Sequence, residues 1–338
     1  MLKVNPEDWN DISDLNPDVI STKKGIYKKV FEVGENKIFL GKELSTNNKC
    51  LMFLATRDNY QEKDRPFSET EGLEVRFDIF RNDDNKDGVL LKLTKDDYLE
   101  VFIALANNIL DVVTEIKQEK PFVETFFNQL AVWKHFLKNA GKRGLGPDRR
   151  RGLFGELHFV KEVLVPEFGK DGVKYWVGPN PAIHDIEVGK GAIEVKTSAG
   201  NKSQSIVISN ERQLDDDGYE KLFLYHVAMT VRKNSNPNLV DIIGEIREML
   251  RDDHQNYIIF NNQLTKSGYN DIHNDYYIGE GYHVDEVNYF HVREGFPRII
   301  GDDIQDGIGG LKYKVDVSAC TDFKVTEDEF KTFIDLIK

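Results

Sequence analysis

The chain has 338 residues, 45 Lys and Arg against 58 Asp and Glu, and a formal net charge of −13. A 40 % hydrophobic and 11 % aromatic content is that of a folded globular protein, and the length suits two or three domains. The charge excludes an overall basic coat for nucleic acid, two cysteines (Cys50 and Cys320) exclude a disulfide framework or a cysteine zinc site, and no apolar run approaches the roughly 20 residues that span a bilayer.

The first residues, MLKVNPEDWNDISDLNPD, are acidic and polar with no apolar stretch behind a basic one, so they do not read as a secretory signal and a cytoplasmic protein is expected. Charge is unevenly spread. From Gly141 to Gln213 there are 12 Lys and Arg against 9 Asp and Glu, a local balance of +3 in a chain that is otherwise strongly acidic. Such a window is compatible with a phosphate-binding surface.

In chain order, KGIYKKVFEV, KIFLGKEL, CLMFLAT, LEVRFDIF and GVLLKLT are short runs with β-branched or aromatic residues in partial alternation, separated by polar turns such as NDDNKDG. They predict an antiparallel sheet. The period then changes. Asp96 to Gln118 carries apolar residues at helical spacing, and a second helix begins at Pro121 and runs to about Asn139, with Phe122, Phe126, Leu130, Trp133 and Phe136 on one stripe. After the loop NAGKRGLGPDRRRG a third helix is expected from Arg149 to Pro166. The loop lacks the closing Gly-Lys-Ser/Thr of a phosphate loop. Strands are expected at about 184–188, 191–198, 205–209 and 222–230, then helices at NLVDIIGEIREML and HQNYIIFNNQL, strands at DEVNYFHV and LKYKVDV, and a last helix, EDEFKTFIDLIK.

The stretch that carries chemistry is HDIEVGKGAIEVKTS, residues 184–198. It reads as two strands joined at Gly189–Gly191. In the second strand Ile193 and Val195 face one way and Glu194 and Lys196 the other, because side chains alternate. Asp185 stands at the start of the first strand, able to approach the pair. A hard divalent cation prefers oxygen ligands, one or two of them carboxylates. Asp185 and Glu194 supply these, and Lys196 is placed to orient a water or stabilise negative charge developing during phosphodiester hydrolysis. Glu-x-Lys alone is a common pattern on a solvated strand; its apolar setting, the upstream Asp185 and the preceding helix bearing Glu156 give it weight.

These residues resemble the active-site hairpin of the PD-(D/E)XK, or restriction-endonuclease-like, superfamily. The combination W-x-G-P, H-D, A-I-E-V-K-T-S, behind G-L-x-G-E-L and before S-x-x-x-Q-L, is similar to one bacterial family of PD-(D/E)XK motif proteins associated with restriction and phage-defence gene clusters. The match is densest from Trp133 to Leu214. The resemblance implies that Asp185 and Glu194 bind metal, that Lys196 acts on the water, that Glu156 completes a second metal position, and that Gln213 lies near the lysine. His184 stands where the superfamily has proline, and is expected to be a packed neighbour rather than a ligand.

The implied fold is α+β or α/β: a restriction-endonuclease-like core, a central mixed sheet flanked by helices, preceded by a β-rich N-terminal domain. Boundaries are expected at 1–95 for the β-rich domain and 96–338 for a helical connector plus nuclease-like domain, with a catalytic core at about 149–232. The implied activity is a metal-dependent DNA endonuclease of a restriction or phage-defence system, using Mg²⁺ with Mn²⁺ as a substitute. The alternative is a nuclease-fold subunit that binds DNA or a partner and cuts only with partner proteins or not at all. Lys142, Arg143, Arg149, Arg150, Arg151 and Lys202 are candidates for contact with the DNA backbone. Expected partners are DNA and the methyltransferase or helicase products of neighbouring genes; no membrane is expected, and a homodimer would place two active sites on two strands.

Overall fold

The computed structural model describes residues 3–13, 19–21, 23–59, 72–79, 86–140, 144–180, 182–200, 205–305 and 307–337. The chain divides into two compact units, Met1–Lys138 and Asn139–Lys338. The pair of helices read from sequence as a connector therefore falls within the first unit, apart from Asn139 and Ala140 at the end of the second helix.

In the first unit, six strands form one antiparallel sheet: β1 (Val19–Ser21), β2 (Gly25–Val33), β3 (Asn36–Glu43), β4 (Lys49–Thr56), β5 (Leu73–Ile79) and β6 (Lys86–Leu93), in spatial order β1-β2-β3-β4-β6-β5. Short polar turns join β2 to β3 and β3 to β4, a connection that only antiparallel neighbours allow. Two helices follow, α1 (Leu99–Val113) and α2 (Glu119–Ala140). The stripe Phe122, Phe126, Leu130, Trp133 and Phe136 is buried throughout, and the Phe53 ring of β4 lies 5.3 Å and 4.4 Å from those of Phe122 and Phe126. The stripe is core, not a cofactor platform.

The second unit opens with α3 (Pro147–Phe159), with Pro147 in its first turn, where a missing N–H costs nothing. It passes through one π-helical turn at Val160–Leu164 into α4 (Val165–Phe168) and stops at Gly169, whose φ of 65° suits glycine. The strands are β7 (Ile186–Val188), β8 (Gly191–Ala199), β9 (Ser205–Ile208), β10 (Lys221–Lys233), β11 (Glu280–Val292), β12 (Tyr313–Asp316) and β13 (Lys324–Val325). The helices are α5 (Leu239–Leu250), α6 (His254–Ser267), α7 (Asn274–Tyr277) and α8 (Glu327–Ile337). Five strands make a mixed sheet in order β13-β11-β10-β8-β7, with only β8 and β10 parallel. The third expected strand, β9, does not join this sheet; it pairs with β12 in a separate ribbon. The expectation of a strand at Asp285 falls short of the actual start at Glu280, and α7 and β13 were not anticipated.

β8 lies inside the sheet between β10 and β7, and both its faces are covered. Ile193 and Val195 pack with Leu153, Phe154 and Leu157 of α3 and with residues of α5 and α8. On the other face Ala192 packs with Ile206, Ile208, Leu214 and Phe290, so the β9–β12 ribbon covers the face that bears Glu194. A Cβ on Gly155 would lie 2.3 Å from Thr197 Cγ2, so glycine lets α3 approach β8 closely. A parallel pair needs a crossover, commonly a helix. Here residues 200–220 supply it with β9 and one 3₁₀ turn, Glu211–Leu214, which brings the chain back over the Lys196 face. Among the described residues no helix is long and apolar enough to cross a membrane.

Candidate active site

Asp185 lies just ahead of β7, and its main chain is pinned first. Its carbonyl oxygen accepts the N–H groups of Val177 and Gly178, both at 2.8 Å. Its carboxylate Oδ2 accepts the Val195 N–H at 2.9 Å, which ties it to β8 between Glu194 and Lys196. Gly178 packs against this carboxylate: a Cβ there would meet Asp185 Oδ1 at 2.7 Å and Glu156 Oε2 at 3.3 Å.

Glu194 is 0 % exposed. The Lys196 ammonium donates to its Oε1 at 2.6 Å, while its Oε2 is buried with no hydrogen-bond partner among the described residues. Lys196 also donates to Gln213 Oε1 at 3.2 Å, and that oxygen accepts the Ser209 N–H at 2.7 Å. The crossover turn thus orients the lysine from above. Glu156, half-buried on α3, accepts the Trp176 indole N–H at 2.8 Å through Oε2.

The electrostatics follow from crowding three carboxyls around one ammonium away from water. Burial, then the Asp185 charge, pushes the Glu156 carboxyl up to about 8, against the pull of the Trp176 N–H and Lys196. Burial also raises Asp185 despite Lys196 and the Val195 N–H. Glu194 is held well above the carboxylate range by burial and by Asp185. Burial disfavours the Lys196 ammonium, but the Glu194 and Asp185 carboxylates outweigh it and hold the ammonium above its ordinary range. When fully ionised the cluster would be short of two positive charges. In this setting protons and a cation compete for the same oxygens.

Among the described residues no set of three His, Cys, Asp or Glu side chains is arranged to hold a metal ion by itself. The donor set instead fits a hard divalent cation, which takes one or two carboxylates and completes its shell with water and phosphate. The unpartnered Glu194 Oε2, beside an Asp185 that interacts with it electrostatically, is the observation that supports this fit.

All five residues named from sequence for this site come together: Asp185, Glu194, Lys196, Glu156 and Gln213. His184 is 1 % exposed, its ring edge-to-face with Tyr219 at 4.9 Å, and burial lowers it to about 4, so it is a neutral packed neighbour. His158 bonds the Tyr225 hydroxyl at 3.0 Å. Of the basic candidates, Arg149, Arg150 and Arg151 are described, all on α3. Arg150 is taken by the Tyr276 carbonyl at 2.7 Å and the Glu280 carboxylate at 3.3 Å, and Arg151 by Asp148 at 2.9 Å. Arg149 is exposed, while Lys142, Arg143 and Lys202 lie outside the described residues. Sequence reasoning gave no role to Trp176 and Gly178, although both stand in the W-x-G-P motif it singled out.

A mixed sheet with a carboxylate hairpin, an adjoining lysine and a supporting glutamate from the preceding helix defines a nuclease-like protein of the PD-(D/E)XK type. The chain belongs to the family described as "Putative PD-(D/E)XK family member, (DUF4420)", whose model matches residues 7–318. No curated protein matches the chain. No solved structure matches it either.

Proposed function

We propose that the protein is a metal-dependent DNA endonuclease of a restriction or phage-defence system, acting in the cytoplasm, with a restriction-endonuclease-like core in its second unit. The observation that carries this reading is the joining of Asp185, Glu194 and Lys196 at one buried point, with Lys196 held by Glu194 at 2.6 Å and Gln213 at 3.2 Å. Asp185 and Glu194 would hold the cation, and Glu156 would act from the α3 side. The cation, Mg²⁺ with Mn²⁺ as substitute, supplies polarisation of the phosphate and acidification of a bound water. Lys196 keeps its proton, so it serves as a donor: it orients the attacking water and stabilises the charge that develops on phosphate oxygen. Gln213 and Glu194 fix the direction of that donor. Catalysis of this kind rests on positioning and electrostatics rather than covalent chemistry by the protein.

A second reading has one observation in its favour: no three described side chains form a metal cage. It makes the protein a nuclease-fold subunit that binds DNA and completes its site only with DNA or a partner such as a methyltransferase or helicase. Incubating supercoiled plasmid and phage DNA with Mg²⁺ or Mn²⁺ separates the two. Nicking or linearisation by the wild type, lost in Lys196→Ala and in chelator, supports the endonuclease. No cleavage alone, with cleavage restored by the products of neighbouring genes, supports the second reading. No cleavage in either arrangement overturns the assignment of an endonuclease.

A further inference from the structure

We propose that Lys266 and Asn180 form a binding position for a backbone phosphate of the nucleic acid, flanking the phosphodiester held at Asp185 and Glu194. The inference rests on the nuclease reading above and extends it to residues the sequence did not single out.

The argument begins with α6, which buttresses the segment leading into the active site. Gln263 donates to the Trp176 carbonyl at 2.8 Å, and Trp176 in turn donates its indole N–H to Glu156. One helical turn later, on the same face, Lys266 donates to Asn180 Oδ1 at 2.7 Å. The chain between these two contacts is fixed. Gly178 donates to the Asp185 carbonyl and packs on its carboxylate, and the Asn180 N–H closes a turn onto the Val177 carbonyl at 2.8 Å. Lys266 is therefore linked to the catalytic carboxylates through a hydrogen-bonded loop.

Two features set this lysine apart from an ordinary helix-end lysine. A cation in a last helical turn commonly serves the terminal carbonyls. Here two of those are already served: Leu264 O accepts the Ser267 hydroxyl and the Tyr269 N–H, and Thr265 O accepts the Gly268 N–H. Secondly, Lys266 is half-buried and has no acidic partner among the described residues, whereas Arg150, Lys161, Lys170, Arg247 and Arg298 of the same unit all have one. Burial without a counter-charge lowers its pKa, in keeping with a cation that lacks its anion. Asn180 spends its carbonyl oxygen on the lysine, which leaves its amide N–H groups as donors. An ammonium and an amide donor side by side suit a phosphate, which offers only acceptors.

The test is binding of a labelled DNA duplex by fluorescence anisotropy, with Ca²⁺ in place of Mg²⁺ to prevent cleavage, over a range of salt. Lys266→Met should lower affinity at low salt by about five- to tenfold. It should also reduce the slope of log affinity against log salt by about one, the signature of one lost phosphate contact. Lys266→Arg should keep the wild-type slope. Asn180→Asp, which turns a donor into a negative charge, should weaken binding more than Asn180→Ala. An unchanged slope for Lys266→Met, with wild-type binding intact, overturns this inference and leaves the nuclease reading standing. A thermal midpoint that falls with the slope unchanged assigns Lys266 a structural role and overturns it equally. Absence of DNA binding by the wild type overturns the nuclease reading itself.

Discussion

With Glu156 pushed up to about 8, the metal-free protein should lose stability as pH rises. An unfolded glutamate releases its proton near 4.5, while in the folded chain burial and Asp185 keep it bound to about 8. Between those values the folded state binds more protons than the unfolded one, so stability is fully present below about pH 4.5 and declines through the window. A shift of this size has a ceiling of about 5 kcal/mol, at about 1.4 kcal/mol per unit. Glu156 is only half-buried and titrates jointly with Asp185, so about 2–3 kcal/mol is the effect expected from it. Urea unfolding in chelator at about pH 5 and about pH 8.5 reads the difference. Glu156→Gln keeps an acceptor for the Trp176 N–H and should flatten the decline. Mg²⁺ or Mn²⁺ at about 100 times its dissociation constant should restore about 2.7 kcal/mol at the higher pH. Identical pH dependence in wild type and Glu156→Gln would refute the reasoning, because the carboxyl would then not carry the proton assigned to it.

Other outcomes follow from the same geometry. His226 is 0 % exposed, bonded to Ser198 Oγ at 2.8 Å and lowered to about 4 by burial. The unfolded chain therefore binds a proton there first, and stability should fall from about pH 6.5 towards pH 4; His226→Gln should blunt that acid limb in urea unfolding. Gly178→Ala forces a Cβ to within 2.7 Å of Asp185 Oδ1 and 3.1 Å of its Cα. It should cost about 1–3 kcal/mol and lower cleavage at least tenfold, measured by thermal unfolding and plasmid nicking. Gln213→Ala removes the oxygen shared by Lys196 and the Ser209 N–H, and kcat should fall with KM little changed. Lys196→Ala should lower the cleavage rate by about a thousandfold in single-turnover assays.

Much of the site was legible in the sequence because strand alternation is a local rule. Glu194 and Lys196 on one face, Ile193 and Val195 on the other, and a glycine turn back to Asp185 all follow from spacing within fifteen residues. The aromatic stripe of α2 was legible for the same reason, at helical period. What stayed hidden depends on distance in sequence. Arg150 reads as a free basic residue until the fold sets it beside Glu280, and Lys266 reads as a surface lysine until the fold sets it beside Asn180. The crossover after β8 was read as a strand of the same cluster, since a four-residue apolar run gives no sign of its partner; pairing with β12, more than a hundred residues on, takes β9 out of the main sheet. Gln213 was found by resemblance, and only the returning chain explains why a glutamine there matters.

The central claim is that Asp185 and Glu194 form a divalent-cation site at which Lys196 acts. Calorimetric titration of Mn²⁺ into the wild type at about pH 8, with Asp185→Asn and Glu194→Gln alongside, tests it most directly. The account predicts one site per chain in the wild type, with proton release on binding and loss of the site in both variants. Binding of equal strength in all three proteins, or no binding by the wild type with or without DNA, would contradict it.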